Sequence, residues 1–381
     1  MALTMRRLNR ATLGRQLLLR REAVGAAEAV RRVVALQAQE PASPYVALWN
    51  RVADFDPADL DAAFADHAVV KASLMRITLH AVEATDYPAF HEAMQPSLRA
   101  SRLGDRRFAV AGLSIADADA LVPRVVAFAA QPRTNADVEA WLDDQLGVLP
   151  RPGLWWALRT FAPFVHAPTG GPWSFGQRPS YLAAPDPARP GDADASLRGL
   201  VRRYLEGFGP AAVQDVAQFA LVQRSRARAA LEAMAGSLER LEGPDGAALF
   251  DVPGDLLPPA DSPAPPRLMA MWDSTLLAYA DRSRVIPPAY RQLVTRNNGD
   301  VLPTLLVDGH VAGVWRPVEG GIEATAFHRL SAEAWDGLEA EARALVAFLA
   351  PRDPAVYRRY ARWWDGLPGA EVHVLGRPPS N

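Results

Sequence analysis

The stretch VVKASLMRITLHAV, Val69 to Val82, decides how the chain is read, because the hydrophobic period changes there. Before it the apolar residues recur at helical spacing. Leu13, Leu17 and Leu18 fit a helix over 6–22, and Val30, Val33, Val34 and Leu36 fit one over 26–38. Pro41 and Pro44 stop the second helix, and helices over 44–52 and 57–66 follow. Asp56 is placed to cap the last, with Pro57 at its first position. Val69 to Val82 instead is rich in β-branched residues and alternates roughly two by two, as a strand or hairpin does. Several helices closed by a β-hairpin is the plan of a winged helix.

The plan recurs downstream. Helices are expected over 117–130, over 135–146 with Thr134 as cap, and over 152–161. Phe164 to Leu182 then reads as two strands around Thr169-Gly170-Gly171-Pro172. A third block offers helices over 195–208, 210–219 and 224–235, with a hairpin over 238–252 turning at Gly243-Pro244-Asp245-Gly246. The proline-rich run 253–266 reads as a linker. Beyond it, short strands (RLMAMW, VLPTLLVDG, HVAGVWRPV, IEATAF) suggest a small β-barrel, followed by a helix over 331–349 capped by Ser331 and a strand over 370–375. The expected fold is α+β: winged helices over 1–110, 111–190 and 191–255, then a β-barrel with a terminal helix over 267–381.

Composition narrows the chemistry. The 381 residues are 49% hydrophobic, enough to bury a real core. No cysteine is present, which excludes disulfides, thiol nucleophiles and cysteine-ligated metal centres. The formal net charge of −2 argues superficially against a nucleic-acid partner. That balance averages unlike regions, however. Of the 41 basic residues only Lys71 is a lysine, and the arginines cluster over residues 6–32, at Arg99, Arg102, Arg106 and Arg107, at Arg202 and Arg203, at 224–228, and at 358–362. Met1 to Arg21 is interrupted by arginines and does not read as an export signal, and no apolar run is long enough to span a bilayer. A cytoplasmic monomer with no membrane contact is the expectation.

Conventional signatures are missing. Neither GxGxxG nor GxxxxGK[ST] occurs, so no nucleotide cofactor is expected. The seven histidines form no HExxH or other tight ligand pattern, so no metal is expected, and no GxSxG elbow is found. What remains is Gln37-Ala38-Gln39 at a helix end before Pro41. Residues two apart on a helix point about 200° apart, so the amides diverge if the helix is intact. They converge only if the last turn opens into extended backbone, which Pro41 favours by disfavouring helical geometry at Glu40. Two surface glutamines at a frayed end is the competing reading.

Leu36-Gln37-Ala38-Gln39-Glu40, followed by Pro44-Tyr45 and Leu48, resembles the glutamine–aliphatic–glutamine motif of the AlkZ-like winged-helix DNA glycosylases in the AlkZ/YcaQ superfamily. Arg76-Ile77-Thr78-Leu79-His80 with Asp86-Tyr87, Trp272-Asp273 through Asp281-Arg282, and Leu305 to Trp315 are similar in order and spacing, so the resemblance covers about residues 5–350. The sister YcaQ-like group ends the motif in Asp, whereas Gln39 places this chain on the AlkZ side. The resemblance implies three tandem winged helices plus a β-barrel arched around duplex DNA. It also implies removal of alkylated guanine, with interstrand cross-links and self-resistance to a genotoxin within the family's range.

Two neutral amides suit that reaction. Alkylation at guanine N7 leaves the base positively charged, so its departure needs no strong general acid. The enzyme must aim a water at the anomeric carbon of an oxocarbenium-like sugar. A glutamine carbonyl can accept from that water while its NH₂ holds a phosphate or sugar oxygen, and such positioning can contribute on the order of 7 kcal/mol at best. Gln37 and Gln39 are thus the candidate catalytic pair, with Glu40 as a competing base. Arg76, Thr78 and His80 alternate and would share one strand face lining the cleft; Arg99, Arg102, Arg202 and Arg203 are candidate phosphate contacts. His166 and Trp173 flank the second hairpin, where an aromatic could stack on DNA. With Lys71 the only lysine, none is expected near the motif, which argues for a monofunctional glycosylase without a lyase step. A non-catalytic winged-helix DNA-binding protein, or a protein-interaction module, are the alternatives.

Overall fold

The computed structural model describes residues 2–147, 151–185, 191–254 and 257–377. Residues 255 and 256 of the expected linker, and the boundary expected at 190, lie outside them. The Thr4 side chain accepts the Arg7 N–H and opens α1 (Met5–Arg15). α2 (Ala26–Val33) ends at Val33 rather than at residue 38, because Val34 takes φ +74° and turns the chain out of the helix. The next residues form β1 (Leu36–Gln37). α3 (Ser43–Trp49) and α4 (Pro57–Ala65) follow, Asp56 capping α4 through the Ala58 N–H. The hairpin is β2 (Val69–Ser73) against β3 (Leu79–Glu83), and β1 pairs with the other edge of β3. The resulting antiparallel sheet has the order β1-β3-β2.

α5 (Tyr87–Leu103) has no counterpart in the sequence reading, because Pro96 sits inside it and proline normally breaks a helix interior. Its apolar face packs on two later helices, and that burial outweighs the lost hydrogen bond. A short α6 (Arg106–Ala109) precedes α7 (Ile115–Phe128), which opens on a Ser114–Asp117 capping box. β4 (Arg133–Thr134) runs into α8 (Asn135–Leu146), where Thr134 and Asp137 form a second such box. α9 (Leu154–Phe161), β5 (Phe164–Ala167) and β6 (Ser180–Ala183) complete this block, its sheet ordered β4-β6-β5. The third block comprises α10 (Ala193–Phe208), α11 (Val213–Ala220), α12 (Arg224–Ala233) and the pair β7 (Glu239–Glu242) and β8 (Ala248–Asp251).

The C-terminal part departs from the expected barrel. β9 (Arg267–Leu268), β10 (Thr304–Val307), β11 (His310–Val318), β12 (Gly321–Ala326) and β13 (Glu371–Leu375) form an open antiparallel sheet ordered β13-β12-β11-β10-β9; a short α13 (Arg291–Val294) lies between β9 and β10. Closure would require β13 to pair with β9, but β9 is only two residues long. α14 (Ala332–Leu349), capped by Ser331, packs against β9, β12 and β13 and covers the apolar face instead.

Packing ties distant segments together. One buried cluster joins Leu13, Val30, Tyr45 and Leu48 to Leu268, Leu305, Trp315 and Leu345. A second joins Val70, Val82 and Phe90 to Leu158, Tyr204 and Phe219. Ion pairs stitch the same seams. Arg51 and Asp273 form a bidentate pair at 2.8 and 2.9 Å, both side chains fully buried. Arg15 grips Asp251 twice at 2.7 Å, and Arg6 and Arg10 hold Asp308. At Gly309 (φ +78°) an added Cβ would come within 2.5 Å of Asn9 Oδ1, so glycine lets this turn seat against α1.

Candidate functional site

Gln37 lies on β1 rather than on a helix, and Gln39 follows it two residues on, at a bend. Gln37 pairs with His80 across the β1–β3 ladder, and the Ala38 N–H donates to the Leu79 carbonyl at 2.8 Å. The helix has therefore opened before the motif, as the alternative that brings the amides together requires. Space for the turn comes from Gly207 on α10, where an added Cβ would lie 2.5 Å from Val34 Cγ2.

Each amide is fixed through its carbonyl. Arg76 Nη2 donates to Gln37 Oε1 at 2.9 Å, and the Leu79 N–H donates to Gln39 Oε1 at 3.0 Å. Each oxygen keeps a second lone pair, and each NH₂ keeps its donors. Gln37 is buried, at 5% exposure, whereas Gln39 is exposed.

Arg76 reaches Gln37 by a route other than strand alternation. It lies in the Met75–Ile77 turn between β2 and β3, with Arg76 at φ +53° and Ile77 at φ +58°. Thr78 does not share its face: the Thr78 hydroxyl turns back to donate to the Met75 carbonyl at 3.1 Å. His80 is fully buried, and Arg76 Nη2 also lies 3.2 Å from its Nε2. Because a guanidinium only donates, Nε2 must accept, which leaves Nδ1–H to donate to the Thr78 carbonyl at 3.1 Å. Burial, reinforced by the Arg76 charge, lowers the His80 pKa to about 3, so the ring is neutral at physiological pH. Burial also brings Arg76 down to about 10, still protonated there.

Glu40 is engaged by residues of the C-terminal part. Arg359 holds its Oε2 at 2.5 Å, and the Tyr360 hydroxyl donates to it at 3.4 Å. Burial raises its pKa, and Arg359 opposes the rise. Gln39, rather than this carboxylate, lines the neighbouring cleft.

The expectation that no lysine lies near the motif is overturned. Lys71, on β2, lines the same cleft as Gln39, together with Arg159, His166, Phe175 and Tyr181. The cleft holds about 270 Å³. Sequence reasoning missed Lys71 because its place depends on β2 packing against β5, a long-range contact. Trp173 is buried against Tyr45 and Phe348 and presents no face for stacking, whereas His166 lies at the cleft.

The remaining basic candidates are spread over other elements. Arg99 pairs with Asp119 at 2.6 Å beside a larger cleft between α5, α7 and α9. Arg102 stacks 4.3 Å from the Trp156 ring and donates to Thr160 at 3.0 Å. Arg203 is held by Asp86 at 3.0 Å and by Glu206, while exposed Arg202 lies 3.3 Å from Glu206. Among the described residues no group of three or more His, Asp or Glu is placed to hold a metal ion, and no helix is long and apolar enough to cross a membrane.

The model of the AlkZ-like DNA glycosylase family matches residues 30–348, a span that includes the glutamine pair, the Arg76 turn and most of the C-terminal sheet. The chain belongs to that family, and it is a DNA glycosylase. A relative from Streptomyces sahachiroi, named an interstrand DNA cross-link repair glycosylase, is 25% identical over 336 residues, covering 82% of this chain and 88% of its own. The solved structure of the Streptomyces sahachiroi DNA glycosylase AlkZ superposes with a TM-score of 0.78 at 20% identity, covering 93% of this chain and 98% of that one. The mixed α/β architecture is thus shared along nearly the whole length of both molecules.

Proposed function

We propose that this chain hydrolyses the N-glycosidic bond of N7-alkylated guanine in double-stranded DNA, with Gln37 and Gln39 placing the water. The observation carrying this reading is that both uncharged amides of Gln37-Ala38-Gln39 are anchored through their carbonyls to the Arg76–Leu79 segment, while the neighbouring Glu40 carboxylate is paired with Arg359. Arg76, by donating to the Gln37 carbonyl, makes it a poorer acceptor and its NH₂ a stronger donor. Gln37 then holds a sugar or phosphate oxygen, and the exposed Gln39 carbonyl takes the hydrolytic water on its free lone pair. Water oxygen bonds to C1′ as the C1′–N9 bond breaks. The bonding pair leaves with the base and cancels its positive charge, and the proton goes to solvent. A neutral base lacks that sink, so undamaged guanine is a poor substrate.

The units 1–110, 111–190 and 191–255 act in this reading as tandem winged helices arched around the duplex, with Arg99, Arg102, Arg202 and Arg203 along the contact and 267–381 closing the arch. The cleft at Gln39, about 270 Å³, lies below the roughly 300–1,000 Å³ of enclosed ligand pockets. That favours attack on a base left near the duplex, which suits bulky adducts and the interstrand cross-links named for the Streptomyces relative. Incubation with a duplex carrying one N7-methylguanine tests the reading. Free N7-methylguanine and an alkali-sensitive abasic site are expected, with no release from the undamaged duplex. Tight, salt-sensitive binding without release would instead favour a non-catalytic DNA-binding role.

A further inference from the structure

Lys71 is the sole lysine and is 4% exposed. Its ammonium sits 4.3 Å over the Phe175 ring, yet among the described residues no carboxylate pairs with it. The nearest acid, Glu40, is engaged by Arg359 at 2.5 Å. The other polar walls of the cleft are cationic or neutral. Arg159 is aimed by Asn135 Oδ1 at 2.9 Å and the Tyr181 hydroxyl at 3.2 Å. His166, half-buried, is held neutral by desolvation and by the Lys71 charge. A buried ammonium without a counter-ion is costly, and the usual remedy is an ion pair or neutralisation. Here the ammonium borders open space shared with Gln39, so an anion can reach it.

We propose that this cleft is a phosphate subsite, in which Lys71 and Arg159 take the non-bridging oxygens of the phosphodiester adjoining the damaged nucleotide. The inference rests on the glycosylase reading, because the lesion must sit at Gln39 for that phosphate to fall beside it. It makes Lys71 a positioning residue: the backbone is anchored on one side of the anomeric carbon while the glutamines act on the other. The phosphate supplies the charge partner that the folded chain withholds from this one lysine.

The test uses duplexes containing a stable tetrahydrofuran abasic analogue, so that binding is read without chemistry. Lys71→Met is expected to weaken binding about tenfold and to lower the slope of log K against log salt by about one phosphate contact. Lys71→Arg is expected to restore most of both. Circular dichroism and thermal unfolding establish that each variant is folded. Wild-type affinity and slope in Lys71→Met would overturn the proposal. So would borohydride trapping of the wild-type protein on true abasic DNA that Lys71→Met abolishes, because Lys71 would then act as an amine nucleophile. If the wild-type protein releases no N7-methylguanine, the proposed substrate fails, whereas the phosphate subsite is judged by the binding series alone.

Discussion

Arg76 shows how one side chain can set the chemistry of another. Its guanidinium is buried with no carboxylate beside it among the described residues, and Nη2 is spent on Gln37 Oε1 and His80 Nε2. The positive φ at Arg76 and Ile77 places it there, a conformation that costs about 1–3 kcal/mol per residue and that clusters at working sites. Lys cannot reproduce a planar fork, so Arg76→Lys and Arg76→Met are both expected to slow base release about tenfold or more, measured in single-turnover assays on N7-methylguanine duplex, while remaining folded. The pH profile follows from the same residues. Neither amide titrates, and His80, with a pKa near 3, stays neutral, so single-turnover base release should be flat from about pH 5 to 7.5. His80 has its pKa lowered from 6.5, so its contribution to stability is full above about 6.5 and is lost as pH falls towards 3. A bell-shaped profile within the flat window would point to a general acid or base in place of the amides.

At the scale of elements, the decisive event is the early end of α2. The apolar spacing supports a helix to residue 38, and nothing local in Val34 announces a positive φ, which β-branched residues adopt least readily. The permission comes from Gly207, far along the chain, and such a contact is invisible to periodicity. Features with local causes were legible: the caps at Asp56, Thr134 and Ser331, the hairpin β2–β3, and the proline that disfavours helix at Glu40. Features set by packing were not: α5 across Pro96, the depth of Lys71, and the open rather than closed C-terminal sheet. Gly207→Ala places a methyl 2.5 Å from Val34 Cγ2. It should destabilise the fold by about 1–3 kcal/mol in denaturant titrations and lower base release by shifting β1 against β3. Unchanged stability and activity would show that Val34 can adopt another path.

Across the whole molecule, the arginines fall into two populations. Arg10, Arg15 and Arg51 are buried in clamps on Asp308, Asp251 and Asp273, joining α1 and the region after α3 to the third hairpin and the C-terminal sheet. These partners account for motif residues such as Asp273 and Asp308-Gly309 as structural joints, a role that spacing alone did not disclose. Outer arginines such as Arg202 and Arg358 are exposed, so a net charge of −2 describes neither population. The two cores run across the expected unit boundaries. The most direct measurement is single-turnover release of N7-methylguanine by wild-type protein, Gln37→Ala and Gln39→Ala at equal, saturating concentrations on the same duplex. Release by the wild type, with a fall of about a hundredfold or more in each variant and little change in binding, is the expected result. Undiminished release by both folded variants would contradict a catalyst built on the two glutamines.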